Sequence, residues 1–169
     1  MRFDTLTRLY TIDGWRGDFA AARRHFDEAL AIYASGPARP EKHSEALLAA
    51  ASFHLDERDL AGAEALLDRA LAVGAKFRAG HSLWATEATS RAQIALLRGD
   101  LAAAERGLQR ARALIDAGEE GQAIAGMYAG LYQAELDHRR GLAAESLLQL
   151  DELAARHQQE LRHPYLRAV

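Results

Sequence analysis

Seven histidines, His25, His43, His54, His81, His138, His157 and His163, are the side chains best suited to hold a metal or move a proton near neutral pH. None lies in a His-Glu-x-x-His pattern, the spacing that sets two imidazoles one turn apart on a helix. His138 is followed by Arg139 and Arg140, which repel a cation. There is no cysteine, so thiolate metal sites, cysteine nucleophiles and disulfides are excluded. A Gly-x-Ser-x-Gly elbow for a serine nucleophile is absent. A phosphate loop is absent too, and the only lysines are Lys42 and Lys76. Gly118, Gly121 and Gly126 do not have dinucleotide-binding spacing. The acid pairs Glu119–Glu120 and Asp151–Glu152 read as solvated charges at helix ends rather than as a general acid and base. The sequence therefore predicts no catalytic residue, no metal and no cofactor, and the chain is expected not to be an enzyme.

The elements that carry these residues follow from composition. The chain has 169 residues, of which 37 are alanine and 25 leucine, against two valines and five isoleucines. Strands favour β-branched side chains and helices favour Ala and Leu, so the expected fold class is all-α. Net charge is −3. The arginine pairs Arg23–Arg24 and Arg139–Arg140 sit among acids, and with no basic stripe the release of counterions on DNA or RNA would be small. Direct nucleic-acid binding is not expected. The longest apolar run, Ala46 to Ala51, is far short of the ~20 residues that span a bilayer. The opening Met1-Arg2-Phe3-Asp4 lacks the apolar stretch of a signal peptide. No membrane partner and a cytoplasmic location are expected.

A repeat organises the chain. Gly17-Asp18-Phe19-Ala20-Ala21-Ala22 recurs as Arg58-Asp59-Leu60-Ala61-Gly62-Ala63 and as Gly99-Asp100-Leu101-Ala102-Ala103-Ala104, each 41 residues on. A weaker copy begins at Gly141, 42 further. After each Asp the same sizes return: Phe19, Ala22, Phe26, Ala29; Leu60, Ala63, Leu67, Ala70; Leu101, Ala104, Leu108, Ala111. These offsets share one face of a helix with 3.6 residues per turn. Alternating large and small residues on that face let a neighbouring helix approach closely and interlock. Asp18, Asp59 and Asp100 stand where a carboxylate can accept the orphan N–H groups of the helix that follows.

The pattern predicts eight helices in four antiparallel pairs. The first helix of each pair covers about Thr5–Arg16, Lys42–Glu57, His81–Arg98 and Gln122–Arg140. The second covers about Phe19–Ser35, Leu60–Val73, Leu101–Ala117 and Ala143–Gln159. Links rich in Gly and Pro separate the copies at Gly36 to Pro40, Gly74 to Gly80 and Gly118 to Gly121. The chain then reads as one domain, 1–169, with repeats at about 1–37, 38–78, 79–119 and 120–161. Residues 162–169, with Pro164 at a suitable first helical position, read as the start of a further helix. In the fourth copy Ser146, Leu150 and Leu153 stand where the others have Ala, a large residue and Ala, and Leu142 replaces the capping Asp. Its second helix is expected to pack differently or less tightly.

The Gly-Asp-aromatic or Gly-Asp-Leu turn, the Ala and Ala-Leu pattern behind it, and the small residues Ala51, Ala92 and Ala134 late in the first helices resemble the tetratricopeptide repeat family over nearly the whole chain. The usual repeat there is about 34 residues. The longer beat of this sequence is similar to the variant in bacterial regulators of the maltose-activator type, in kinesin light chains and in some signalling ATPases. The resemblance implies an α-solenoid, a right-handed superhelix whose pairs stack to bury a continuous core.

It also implies a concave face lined by the first helices, where an extended or helical peptide would lie. The matching positions are Asp4, Thr7, Thr11 and Trp15; Glu45, Ser52 and Asp56; Thr86, Thr89 and Gln93; and Tyr128, Leu131, Glu135 and His138. Trp15 and Tyr128 are the candidate aromatic anchors. The set is mildly acidic and poor in the Lys and Arg that would clamp a terminal carboxylate. The expected partner is therefore a protein or peptide that is polar or basic rather than acidic. Two functions follow from the resemblance: a non-catalytic binding scaffold, or an effector-sensing segment of a larger bacterial signalling or transcriptional regulator. Solenoids usually need a polar closing helix, and none is evident, so continuation into a longer array or homo-oligomerisation through open ends is also expected.

Overall fold

The computed structural model describes residues 5, 6, 9, 12, 13, 16–35, 40–75, 81–117 and 123–161. The described residues are helical apart from short turns, with no strand among them. The helices are α1 (Phe19–Ser35), α2 (Pro40–Asp56), α3 (Leu60–Gly74), α4 (His81–Arg98), α5 (Leu101–Asp116), α6 (Ala123–Arg139) and α7 (Ala143–Leu161). Thr5, Leu6, Leu9, Ile12 and Asp13 are helical as well. Each helix lies within a few residues of its predicted span. The positions 162–169 and most of the Gly/Pro links fall outside the described residues. The chain divides into two compact units, Met1–Ala79 and Gly80–Val169.

The same joint reverses the chain four times. Gly17, Arg58, Gly99 and Gly141 have φ of 77°, 62°, 77° and 85°. The N–H of the next residue donates five residues back each time: Asp18 to Asp13 O (2.9 Å), Asp59 to His54 O (2.7 Å), Asp100 to Ala95 O (2.9 Å) and Leu142 to Asp137 O (2.9 Å). This is the left-handed closure that satisfies the last carbonyls of a helix. At three of the joints the residue that ends one helix also caps the next. The Asp18, Asp59 and Asp100 carboxylates accept from the N–H of Ala21, Gly62 and Ala103, all at 2.9 Å. Leu142 has no carboxylate to offer, and its backbone carbonyl accepts from Ser146 N–H at 3.0 Å.

In the first unit, α2 packs along α3 and touches α1. Leu47, Ala50, Ala51, Ala63, Leu67 and Ala70 are fully buried, and the Ser44 hydroxyl donates to Ala70 O at 2.9 Å. Ala22 and Ala29 are buried on α1, and Phe26 is half-buried. In the second unit, α4, α5 and α6 enclose a core of Ala92, Leu96, Ala104, Leu108, Ala129 and Leu136. Gly107 on α5 is a close crossing, because a Cβ there would come within 3.0–3.3 Å of the Ala92 side chain and backbone. Helix α7 packs on α6, and its joint is polar. Ser146 donates to Ala134 O (2.8 Å), while buried Asp137 accepts from Gln133 (3.0 Å) and from Gln149 (2.9 Å). The first joint has a polar pair in the same register, His25 Nδ1 to Asp13 at 2.8 Å. The expected looseness of the fourth copy takes a definite form: Leu150 is 37% exposed, whereas Leu108 and Leu67, one and two repeats earlier, are fully buried.

Arg58 is the one described non-glycine residue in the left-handed region. Its Cβ carries a steric cost that glycine avoids. Arg58→Gly is expected to raise stability by about 1 kcal/mol in urea unfolding, with the slope of the transition unchanged.

Candidate functional site

Within each of α2, α4 and α6 the predicted binding positions form a stripe. Glu45, Ser52 and Asp56 share one face of α2, Thr86, Thr89 and Gln93 one face of α4, and Tyr128, Leu131, Glu135 and His138 one face of α6, since spacings of 3, 4 and 7 return to the same side. Thr7, Thr11 and Trp15, with Asp4, lie outside the described residues.

The stripes differ in what they offer. On α2, Glu45 is exposed and paired with Lys42 at 2.6 Å. Ser52 turns its hydroxyl back to Leu48 O at 3.3 Å. Asp56 is on the surface, but partial desolvation pushes its carboxyl above the usual carboxylate range. On α4, Thr89 is buried and bonds back to Ala85 O at 2.8 Å, so it is not presented to solvent, while Thr86 and Gln93 are half-buried. On α6, Tyr128 and Leu131 are 44% and 36% exposed, and His138 is exposed. The Tyr128 ring stacks on Tyr132 with centroids 6.1 Å apart, and Tyr132 in turn packs against the core of the second unit. Glu135 is held by Arg139, whose other nitrogen donates to Leu96 O at 2.6 Å. The α6 stripe thus combines a braced aromatic ring, an exposed leucine and a fixed carboxylate.

Two charged arrangements were not anticipated. Glu87 on α4 is fully buried, bonded to Arg91 Nε through one oxygen. Its other oxygen lies 3.4 Å from Arg110 Nη2, close enough for charge attraction but outside hydrogen-bonding geometry. The sequence did carry a signal. In the repeat register Glu87 falls where the neighbouring copies have Ala46 and Ala129, both buried. The second arrangement joins α1, α2 and the cap of α3. His54 Nδ1 is 2.6 Å from Asp59 Oδ2, and Arg23 reaches both His54 Nε2 (3.4 Å) and Glu57 (3.3 Å). A guanidinium only donates, so Nε2 accepts and Nδ1 carries the proton given to Asp59. Gly62 makes room, since a Cβ there would overlap both the Asp59 carboxylate and the His54 ring. In the same register of the second unit, Arg140 grips Glu105 through two bonds of 3.1 and 2.7 Å. This holds the Glu105 carboxyl below its usual range.

Among the described residues no group of three or more His, Asp or Glu could hold a metal, and no helix is long and apolar enough to cross a membrane. The chain matches no protein-family model, and no curated protein is similar enough to count as a relative.

Removing the partner of a buried charge costs far more than an exposed ion pair contributes. Arg91→Met is therefore expected to destabilise the chain by about 3 kcal/mol, the low end of the usual range because Arg91 is one-third exposed. Arg91→Met with Glu87→Met should recover most of that loss in the same urea titration. The Asp59 carboxyl is held low first by the Gly62 N–H and then by His54. A depressed carboxyl contributes stability above its unfolded pKa, about 3.9, and that contribution disappears as pH falls through the lower folded value. The melting-temperature gap between the parent chain and Asp59→Asn should therefore narrow on acidification below that range.

Proposed function

We propose that the chain is a non-catalytic scaffold of tetratricopeptide-like repeats that binds a protein or peptide. On this reading the four hairpins stack as an α-solenoid with a right-handed superhelical turn. The same left-handed closure inside each hairpin, recurring every 41–42 residues, supports it, because units of equal build can stack on one another in an equal way. So do Ala51, Ala92 and Ala134, each at most 1% exposed at the same place in successive first helices.

The observation that carries the binding role is the α6 stripe. Tyr128 and Leu131 are large apolar side chains left in water on the helix whose opposite face builds the core. A ring braced by a second ring loses little freedom on binding, which is what makes aromatic anchors effective. On this reading the ligand is polar or basic, meeting on α6 the Glu135 carboxylate that Arg139 holds in place and offering an apolar side chain to Tyr128.

Selection from a displayed random-peptide library on the immobilised chain tests this. The expected result is enrichment of peptides with Lys or Arg beside an apolar residue, whose affinity falls at least tenfold in Tyr128→Ala. Enrichment of acidic peptides, or binders indifferent to Tyr128→Ala, would overturn the reading.

A further inference from the structure

His54, near the end of α2, has a charged partner on each ring nitrogen, and the two partners belong to different helices. Nδ1 lies 2.6 Å from Asp59 at the cap of α3, and Nε2 lies 3.4 Å from Arg23 on α1. The backbone makes room for the ring. Position 62 carries glycine where other copies have Ala21 and Ala103, and a Cβ there would come within 2.4 Å of Nδ1. Arg23 also reaches Glu57 at 3.3 Å. The contact between α5 and α6 is the charge-reversed form, with Glu105 in register with Arg23 and Arg140 in register with Glu57. There the residue in register with His54 is Asp137, which pairs with Gln133 and Gln149. The contact between α1 and α2 thus differs from its counterpart by an imidazole set between the arginine and the cap.

A neutral imidazole has one N–H and one acceptor nitrogen, and both are used: Nδ1–H donates to Asp59 and Nε2 accepts from Arg23. A proton added at Nε2 removes the acceptor. It sets an N–H, on a ring now positive, against a guanidinium that only donates. The bond to Arg23 is lost, while the bond to Asp59 gains charge. Asp59 stays ionised through this change, since the Gly62 N–H and the ring hold its carboxyl below its usual range. Around His54, then, Arg23 from α1 loses by the proton, Asp59 from the cap of α3 gains by it, and Glu57 keeps its ion pair with Arg23. His25, the imidazole of α1 itself, faces Asp13 at 2.8 Å, where a proton strengthens the pair.

We propose that His54 is a proton-operated latch on α1. Neutral, it ties α1 to the α2–α3 hairpin through Arg23; protonated, it lets Arg23 go and holds only the cap of α3. Histidine is the side chain that ordinarily changes charge between about pH 5 and 8, so the latch answers to mild acidification. The inference goes beyond the peptide-binding role and does not depend on it, since Tyr128 and Leu131 take no part.

Native-state amide hydrogen exchange at about pH 8 and about pH 5.5, expressed as protection over the intrinsic rate, tests it. The readout is the protection of α1 amides in the parent chain divided by that in His54→Gln, whose amide oxygen offers an acceptor that does not titrate. Changes at His25 cancel in this ratio. It should fall roughly fivefold on acidification, the loss of one ordinary hydrogen bond. In an Arg23→Gln background the same ratio should stay constant. The Arg23 and His54 side chains are 49% and 22% exposed, so neither substitution opens a cavity in the core. Imidazole nitrogen NMR shifts of the parent chain give a reading free of substitutions: at the higher pH the His54 proton should sit on Nδ1. A ratio that does not change with pH would overturn the proposal. So would an equal fall in the Arg23→Gln background, or a His54 proton on Nε2 at the higher pH.

Discussion

The structure depends on one local constraint, a helix that must end and a second that must begin within two residues. A single left-handed residue turns the backbone, the next N–H returns to the carbonyl five residues back, and in three joints the same residue's carboxylate accepts from the N–H of the third residue of the new helix. So short a connection leaves no slack. The two helices must run antiparallel and in contact, and the residues nearest the joint must be small enough to allow it. Ala92 against Gly107 shows how close the approach becomes.

Once the joint is fixed, chemistry varies around it in two ways. At the first and fourth joints a polar pair crosses between the helices, Asp13 with His25 and Asp137 with Gln149. The third joint places Ala95 and Gly107 in those positions. A buried carboxylate is tolerated at Asp137 because two amide side chains donate to it. Ser146 satisfies its hydroxyl on Ala134 O, and Leu150 is exposed where Leu67 and Leu108 are fully buried.

Charge is arranged to neutralise locally. Glu45 with Lys42, Glu135 with Arg139, Glu105 with Arg140 and Glu57 with Arg23 leave a surface of paired ions rather than a field of one sign. Exposed pairs of this kind contribute little stability each. Glu87 is different, since burial removes its water and leaves two arginines as its compensation. An alanine would fit the repeat there, so the carboxylate marks a place where α4 and α5 are held by charge in addition to packing.

The sequence by itself determined the helices, their limits and their caps, because these depend on interactions within a few residues. Propensity, a Gly-Asp turn and a 3.6-residue period are all local, and the period also picked out Leu67, Leu108 and the buried alanines. It placed Tyr128 and Leu131 on one stripe of α6 for the same reason. Only the tertiary structure decided which members of a stripe reach water. Thr89 lies at the repeat position of exposed Leu131 but is enclosed and bonded to its own helix, and no spacing rule distinguishes the two. Tertiary packing also decided that Arg139 spans to Leu96 O and that Glu87 is stripped of solvent between Arg91 and Arg110. Burial is set by what lies across the interface, and that is a property of two helices in contact rather than of either one alone.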